Sequence, residues 1–230
     1  KTAVDDLHLT IGQGELFGLL GVNGAGKTTT IRMLSGLSAP TEGMCSVCGH
    51  DYVTEKPQVK EIIGLSPQDT AVAENLTVLE NLQFMAQVHG LSGEAKRQRV
   101  QEMIHQFRME EVLDSRAKTL SGGWKRKLSI AMALISQPRV LFLDEPTLGL
   151  DVLARRELWR VIEGLKGKVT VLLTTHYMEE AEQLADRIAV MIGGRMAAVG
   201  TLQELEQLTG KSGLEEAFVA IAEGSVGQDA

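Results

Sequence analysis

The chain has 230 residues, of which 43% are hydrophobic and 23% charged, a composition typical of globular proteins and not of disordered or fibrous chains. Thirty acidic residues against 23 basic residues give a formal net charge of −7, which argues against a broad basic surface for nucleic acid. No apolar run approaches the roughly 18 residues of a membrane span. The start of the chain carries no apolar signal segment and there are only two cysteines, so we expect a cytoplasmic protein.

Short apolar segments alternate with longer helical patterns, which predicts an α/β fold with a mostly parallel sheet. Gly193 and Gly194 separate the last two apolar segments and can supply the positive φ of a two-residue hairpin turn, so a small antiparallel portion is expected there. The expected strands cover residues 4–10, 16–20, 44–48, 62–66, 140–144, 169–174, 188–192 and 195–199.

Residues 69–137 differ from the rest because they contain helical patterns and no convincing strand. We interpret them as a helical lobe inserted into one domain whose core comprises residues 1–68 and 138–205. Two short helical patterns form a C-terminal tail over residues 206–230. The sequence therefore predicts a single domain with an inserted lobe.

The lobe contains recognisable helix boundaries. Its first helix is expected to begin at Thr77, where Glu80 completes a capping box. The second is expected over residues 92–108. The third begins near Ser121 and must end before Pro138, because proline lacks the amide that a continuing helix needs.

Residues 21–28 read Gly-Val-Asn-Gly-Ala-Gly-Lys-Thr, which fits the phosphate-loop pattern G-x-x-x-x-G-K-[ST] between a strand and a helix. Glycines let backbone amides turn toward phosphate oxygens, and the following helix N-terminus favours negative charge. Lys27 is expected to reach the β- and γ-phosphates, and Thr28 to ligate Mg²⁺. The nucleotide-binding residues expected in this region are Gly21, Asn23, Gly24, Ala25, Gly26, Lys27, Thr28 and Thr29.

A second cluster stands at the end of the expected strand 140–144. Two carboxylates after a buried apolar segment are costly unless a cation and water are nearby. We expect Asp144 to hold Mg²⁺ and Glu145 to act as the general base that polarises the attacking water.

Ser121, Gly122 and Gly123 precede a helix and could form another anion site from a hydroxyl and backbone amides. A simple helix cap is the alternative explanation for Ser121. Behind them, residues 125–127 are all basic, and we expect them to form a solvated helix face.

The spacing of Cys45 and Cys48 raises the question of a metal or haem site. Structural zinc would need a second pair of ligands, and haem attachment would need histidine where Gly49 stands. We expect two small hydrophobic residues in a strand, without a functional role.

Taken together, these motifs resemble those of the nucleotide-binding subunits of ATP-binding cassette (ABC) transporters, over essentially the whole chain. The family's motifs stand here in the family's order after the phosphate loop. They are a glutamine loop at Gln68, a Leu-Ser-Gly-Gly signature at 120–123, the acidic segment 144–147, an aspartate loop at 149–151 and a switch histidine at His176.

The resemblance implies a P-loop NTPase fold and two subunits paired head to tail, as a homodimer or with a similar subunit. ATP then lies between the phosphate loop of one subunit and Ser121, Gly122 and Gly123 of the other. Gln68 would link the γ-phosphate and Mg²⁺ region to the helical lobe, and His176 would contact the γ-phosphate. Both residues follow expected strands, at the edge where open α/β sheets bind ligands. Asp151 would lie at the dimer seam.

Residues 17–21, 173–181 and 214–218 resemble the exporter branch of the family, which pairs this ATPase with a separate transmembrane permease. This implies a peripheral location on the cytoplasmic face of the membrane and no nucleic-acid partner. A soluble ABC ATPase acting on ribosomes or nucleic acid is the alternative, but it usually has two cassettes or a long coiled coil. A non-hydrolysing regulatory module is disfavoured because Lys27 and Glu145 are both present.

The chain departs from the family pattern in two places. Trp124 follows the signature where the family usually has glutamine, which implies an altered contact with the nucleotide ribose. No aromatic residue stands between positions 1 and 16 to stack on adenine, so we expect that residue to lie upstream of Lys1.

Overall fold

The computed structural model describes residues 2–224. Its strands are β1 (Leu16–Leu20), β2 (Ser46–Val47), β3 (His50–Asp51), β4 (Ile63–Ser66), β5 (Val140–Asp144), β6 (Thr170–Thr175), β7 (Arg187–Ile192) and β8 (Arg195–Gly200). Its α-helices are α1 (Lys27–Leu34), α2 (Lys56–Ile62), α3 (Val78–Val88), α4 (Gly93–Phe107), α5 (Gly122–Leu134), α6 (Val152–Glu163), α7 (Met178–Leu184), α8 (Leu202–Thr209) and α9 (Leu214–Ala222). None of the helices in these residues has the length and hydropathy needed to span a membrane.

The core is a six-stranded sheet in the order β4-β5-β6-β1-β7-β8. Strands β4, β5, β6, β1 and β7 run parallel, and β8 pairs antiparallel with β7. This confirms the predicted mostly parallel α/β sheet and its C-terminal hairpin. The parallel arrangement places the carboxyl ends of five strands at one edge of the sheet.

Both faces of the sheet are covered, which explains why its central strands are continuously apolar. Leu16 and Leu173 face a core shared with α3, α4, α5 and α6. Phe17 and Leu172, their sequence neighbours, face the opposite side and pack with Ile31 of α1. The alternation follows from the two-residue period of a β-strand.

The predicted helix boundaries of the lobe agree well with the structure. The Thr77 hydroxyl accepts from the Glu80 backbone N–H at 3.1 Å, and Glu80 Oε2 accepts from the Thr77 N–H at 2.8 Å, so the capping box is confirmed. The third helix, α5, ends at Leu134, before Pro138. The lobe's domain boundaries stay a prediction, and residues 225–230 of the predicted tail lie outside the described residues.

The prediction of a strand over residues 4–10 is wrong. Val4, Leu7 and Leu9 do pack against the core that contains Phe17, which accounts for the apolar pattern. The segment nevertheless joins no sheet, and Asp6 has a φ of 51° that interrupts extended backbone.

The strand expected over residues 44–48 is reduced to the two residues of β2, which pairs with β3. Cys48 and Gly49 form the turn between them, with φ values of 51° and 88°. Cys48 is exposed and Cys45 is half-buried, so the prediction of two cysteines within a strand is wrong. Burial raises the pKa of the Cys45 thiol.

Candidate functional site

The phosphate loop connects β1 to α1 at the carboxyl edge of the sheet. Gly26 is the N-cap of α1 with a φ of 108° and offers no side-chain cap, so the first amides of the helix have no side-chain partner. A Cβ atom on Gly21 would lie 2.5 Å from the Met191 carbonyl oxygen, and one on Gly26 would lie 2.6 Å from that of Ala3. Both glycines are therefore required by close backbone approach as well as by the motif.

Lys27 is the first residue of α1, and only 5% of its surface is exposed. Its Nζ donates to the Gly21 carbonyl at 2.7 Å and lies 3.1 Å from Glu145 Oε1. The side chain thus curls back over its own loop and neutralises the acid at the end of β5. A cation held in this way is available to an incoming phosphate if that phosphate replaces Glu145.

Asp144 ends β5 and is 4% exposed. Its Oδ1 accepts from Thr174 Oγ1 at 2.6 Å and from Thr28 Oγ1 at 3.2 Å. The strand register places Asp144 directly opposite Thr174 on β6. The result is a compact set of oxygen atoms beside the phosphate loop that could act as metal ligands.

These donors fit Mg²⁺. The ion usually takes one or two protein carboxylates and completes its shell with substrate phosphates and water. Within residues 2–224 no group of three or more His, Cys, Asp or Glu side chains could hold a metal by itself. A carboxylate and a hydroxyl next to a phosphate loop match a metal that is brought with a nucleotide.

Glu145 follows β5 with a φ of 48°, in the left-handed region that favours glycine. Its backbone N–H donates to the Thr174 carbonyl at 3.2 Å and to Thr174 Oγ1 at 3.0 Å. His176 Nδ1 lies 2.7 Å from Glu145 Oε2, and because a carboxylate only accepts, the Nδ1–H tautomer donates. Glu145 therefore lies between a cation and an imidazole.

The structure brings together Lys27, Thr28, Asp144, Glu145 and His176, which the sequence placed at distant positions. It does not bring Gln68 into that contact network. Gln68 is exposed, and its side chain makes no hydrogen bond within the described part of the chain.

The signature residues are likewise separate from that network. The Ser121 hydroxyl caps α5 by accepting from the Trp124 backbone N–H at 3.5 Å. This agrees with the alternative prediction that Ser121 is a helix cap. Ser121 and Gly122 are exposed, and Gly123 approaches Ala154 of α6 so closely that a Cβ atom would lie 3.0 Å from the Ala154 methyl. An exposed helix N-terminus remains open to an anion from outside the chain.

Sequence reasoning missed Thr174, whose position at the end of β6 two residues before His176 was the available signal. It also misjudged residues 125–127, because Arg126 and Lys127 are buried. Lys127 pairs with Glu157 at 2.8 Å and lies 4.4 Å from the Trp124 ring centroid. The prediction that this segment is a solvated face is wrong.

A buried acid lies behind the switch histidine. Glu180 is 0% exposed, and Trp159 Nε1 donates to its Oε1 at 3.1 Å. Burial raises the pKa of Glu180 above 4.5, against the effect of its hydrogen bonds. The helix that follows His176 is thus anchored on α6 through a buried carboxyl group.

Comparison with known proteins relates this chain to one protein family. The profile of the family described as "ABC transporter" matches residues 4–148. A phospholipid-transporting ATPase, ABCA3, of Rattus norvegicus is 45% identical over 210 residues, which is 91% of this chain and 12% of that protein. The daunorubicin resistance ATP-binding protein DrrA3 of Streptomyces coeruleorubidus is 45% identical over 211 residues, covering 91% of this chain and 67% of that relative.

Two solved structures share the fold. An ATP-binding subunit of an ABC transporter superposes with a TM-score of 0.85 and 32% identity, covering 95% of this chain and 92% of that one. The dimeric post-hydrolysis state of an ATP-binding cassette bound to ADP and Pi gives a TM-score of 0.78 at 26% identity, covering 87% of this chain and 90% of that one. These matches confirm the predicted P-loop NTPase fold.

Proposed function

The chain belongs to the ABC transporter family as an ATP-binding domain with ATPase activity, and from this we propose that it powers export through a separate transmembrane permease. Support for export comes from its relatives, one named for daunorubicin resistance and one for phospholipid transport. The chain spans 12% of the latter and 67% of the former, so substrate and permease are part of the proposal. In it, the domain lies on the cytoplasmic face of the membrane and acts without nucleic acid.

One observation carries the catalytic part of the proposal: Glu145 lies between Lys27 and His176, beside Asp144 and Thr28. In the proposed reaction the Glu145 carboxylate accepts a proton from the water that attacks the γ-phosphate. A protonated His176 would hold that carboxylate through Nδ1–H and donate its Nε2–H to an oxygen of the γ-phosphate. The remaining phosphate contacts come from the loop residues Gly21, Asn23, Gly24, Ala25, Gly26, Lys27, Thr28 and Thr29.

The Lys27–Glu145 ion pair gives this proposal an order of events. Lys27 Nζ is bound to Glu145 Oε1 in the structure, so Oε1 is not free to accept a proton. ATP supplies phosphate oxygens that compete for Lys27 through charge-assisted hydrogen bonds. Binding of the triphosphate therefore releases the base at the moment its substrate arrives.

Magnesium enters through the donors described above. Thr28 and Asp144, with Gln68 from the loop after β4, are the residues proposed to hold Mg²⁺, which neutralises developing charge on the transferred phosphate. Thr174 orients the Asp144 carboxylate by donating to Oδ1 at 2.6 Å. The protein's own contribution is thus to fix the carboxylate toward Thr28 before nucleotide binds.

The dimer is proposed on the exposed signature. Ser121, Gly122 and Gly123 start α5 with their amides outside the Lys27 site, and a second copy or a similar subunit would bring a nucleotide to them. The solved neighbour with ADP and Pi is dimeric. A head-to-tail pair gives each nucleotide the phosphate loop of one subunit and the signature of the other, with Asp151 between them.

Replacing Glu145 by glutamine tests the proposal. We expect phosphate release to fall at least about a hundredfold, because the base is lost, while binding of a fluorescent ATP analogue persists. The Glu145→Gln protein should also accumulate as a dimer with Mg²⁺-ATP, measured by light scattering. Glu163→Gln, which changes an exposed glutamate at the end of α6, is the matched control and should behave as wild type.

Unchanged phosphate release from Glu145→Gln would contradict the assignment of the base. A strictly monomeric variant at high protein concentration, with bound ATP, would contradict the head-to-tail dimer.

A further inference from the structure

Arg126 is a buried cation that the proposed reaction does not use. It lies on α5, just after the exposed signature, and is 4% exposed. Its Nη1 donates to the Pro67 carbonyl at 2.6 Å, and its Nη2 donates to the Gln68 carbonyl at 2.5 Å. One planar guanidinium thus holds two consecutive carbonyls of the loop after β4.

Burying a guanidinium without a carboxylate partner in direct contact is expensive unless its N–H groups are satisfied. Burial lowers the pKa of Arg126, and the carboxylates of Asp144 and Asp69 act in the opposite direction. The two carbonyls therefore stabilise the buried guanidinium by accepting hydrogen bonds from it. The geometry depends on arginine, since the single ammonium of lysine lacks the planar fork that holds two carbonyls.

The same face of α5 is attached to β4 at two more points. The hydroxyls of Ser129 and Ser66 lie 2.9 Å apart and are buried. One turn further, a Cβ atom on Gly64 would lie 2.4 Å from the Ala133 carbonyl, so helix and strand are in direct backbone contact there. Positions 126, 129 and 133 follow the spacing of one helix face.

The loop beyond Gln68 is held separately at its far end. Asn81 of α3 accepts from the Ala73 N–H at 2.8 Å and donates to the Ala73 carbonyl at 3.1 Å. Between these fixed points Gln68 itself is exposed. Its backbone position is therefore set by Arg126 more than by packing of its own side chain.

We propose that Arg126 is a positioning residue that fixes Gln68 to the signature helix α5, so that the glutamine loop and the signature move as one unit. This inference rests on the proposed function, in which Gln68 serves the nucleotide of its own subunit and Ser121 serves that of the partner. A single residue then connects the two nucleotides of the dimer. Closure on one ATP at the signature sets the position of Gln68 at the other.

The test compares Arg126→Lys with Arg97→Lys, which changes an arginine on α4 whose side chain is 78% exposed. Hydrogen–deuterium exchange of residues 67–73, measured by mass spectrometry without nucleotide, should rise about fivefold or more in Arg126→Lys. Loss of one donor to the loop carbonyls loosens the loop up to the Ala73 amide, whose bond to Asn81 protects it in the wild type. The turnover number should fall about tenfold while the Kd for ATP stays within about twofold, since Lys27 and its loop are intact. Arg97→Lys should match wild type in all three measurements.

Unchanged exchange of the loop in a folded Arg126→Lys protein would overturn the inference. Faster exchange with an unchanged turnover number would also overturn it, because the loop would then be loosened without consequence. Should Arg126→Lys fail to fold, Ser66→Ala loosens the same joint by one hydrogen bond, and the same two outcomes decide. Exchange requires no ATPase activity, so an inactive wild-type protein would contradict the proposed function and leave the Arg126 contact testable.

Discussion

Replacing Lys27 by methionine should destabilise the nucleotide-free chain through the charge it leaves on Glu145. The two side chains are 5% and 6% exposed and lie 3.1 Å apart, so solvent screens them little. At that distance and an effective dielectric constant near 20, their gross attraction is about 5 kcal/mol. Removing one partner of a buried pair costs about 3–5 kcal/mol, and because His176 still donates to Glu145, we expect a value near 3 kcal/mol.

The companion variant removes the leftover charge. Lys27→Met combined with Glu145→Gln carries neither member of the pair, so it should be more stable than the sum of the single variants predicts. We expect a coupling free energy of at least about 1.5 kcal/mol. Urea unfolding of the four nucleotide-free proteins, with closely similar m-values, measures it.

A surface pair of similar geometry supplies the control. Arg97 and Glu94 lie 2.7 Å apart but are 78% and 56% exposed, and such pairs contribute about 0.5 kcal/mol or less within a helix. The corresponding cycle, Arg97→Met with Glu94→Gln, should be additive within error. If the Lys27–Glu145 cycle is equally additive, the pair does not hold the base in the absence of nucleotide, and the proposed release of Glu145 by ATP is wrong.

Three further outcomes follow. A mixture of the Ser121→Arg and Lys27→Ala proteins should show more ATPase activity than either variant alone. In the heterodimer one composite site carries both substitutions and the other carries neither. If heterodimers are shown to form and activity does not recover, the model of a nucleotide site shared between two subunits is contradicted. Stability should fall as pH rises above 4.5 because the native pKa of Glu180 is raised, so the folded state binds more protons there; Glu180→Gln should flatten that fall in thermal melts. Gly64→Ala should cost about 1–3 kcal/mol, since its Cβ would lie 2.4 Å from a carbonyl oxygen of α5, whereas Gly164→Ala, with 3.4 Å to its nearest neighbour, should be nearly neutral in urea unfolding.

Features that depend on a few consecutive residues could be predicted from the sequence. The phosphate loop is recognisable because strand, glycines and helix all lie within residues 16–34, and the Thr77 capping box because its two members are three residues apart. The strand at 4–10 could not be judged in this way. Its apolar residues are partly buried, but a strand also needs a hydrogen-bonding neighbour, which no local pattern supplies.

The contacts of the site depend on sheet order instead. Lys27 follows β1 and Glu145 follows β5, and the two side chains can meet because β6 alone separates these strands in the sheet. The sequence pattern does not determine that strand order. The roles proposed for Gln68 and Ser121 stay predictions for a related reason, because each needs a nucleotide or a second subunit. Arg126 was misjudged for another reason. A basic segment on a helix usually faces solvent, but Arg126 is buried and donates to two backbone carbonyls.

The neighbouring acids Asp144 and Glu145 serve different partners because the backbone turns between them. Consecutive side chains of a strand point to opposite faces of a sheet, which would separate the two carboxylates. The φ of 48° at Glu145 ends the extended geometry of β5, and Asp144 meets Thr28 while Glu145 meets Lys27, the adjacent residue of α1. Such a conformation costs about 1–3 kcal/mol and persists only where surrounding contacts enforce it. Two hydrogen bonds from the Glu145 N–H to Thr174 do so, and the strain is thereby tied to the residue that also orients Asp144.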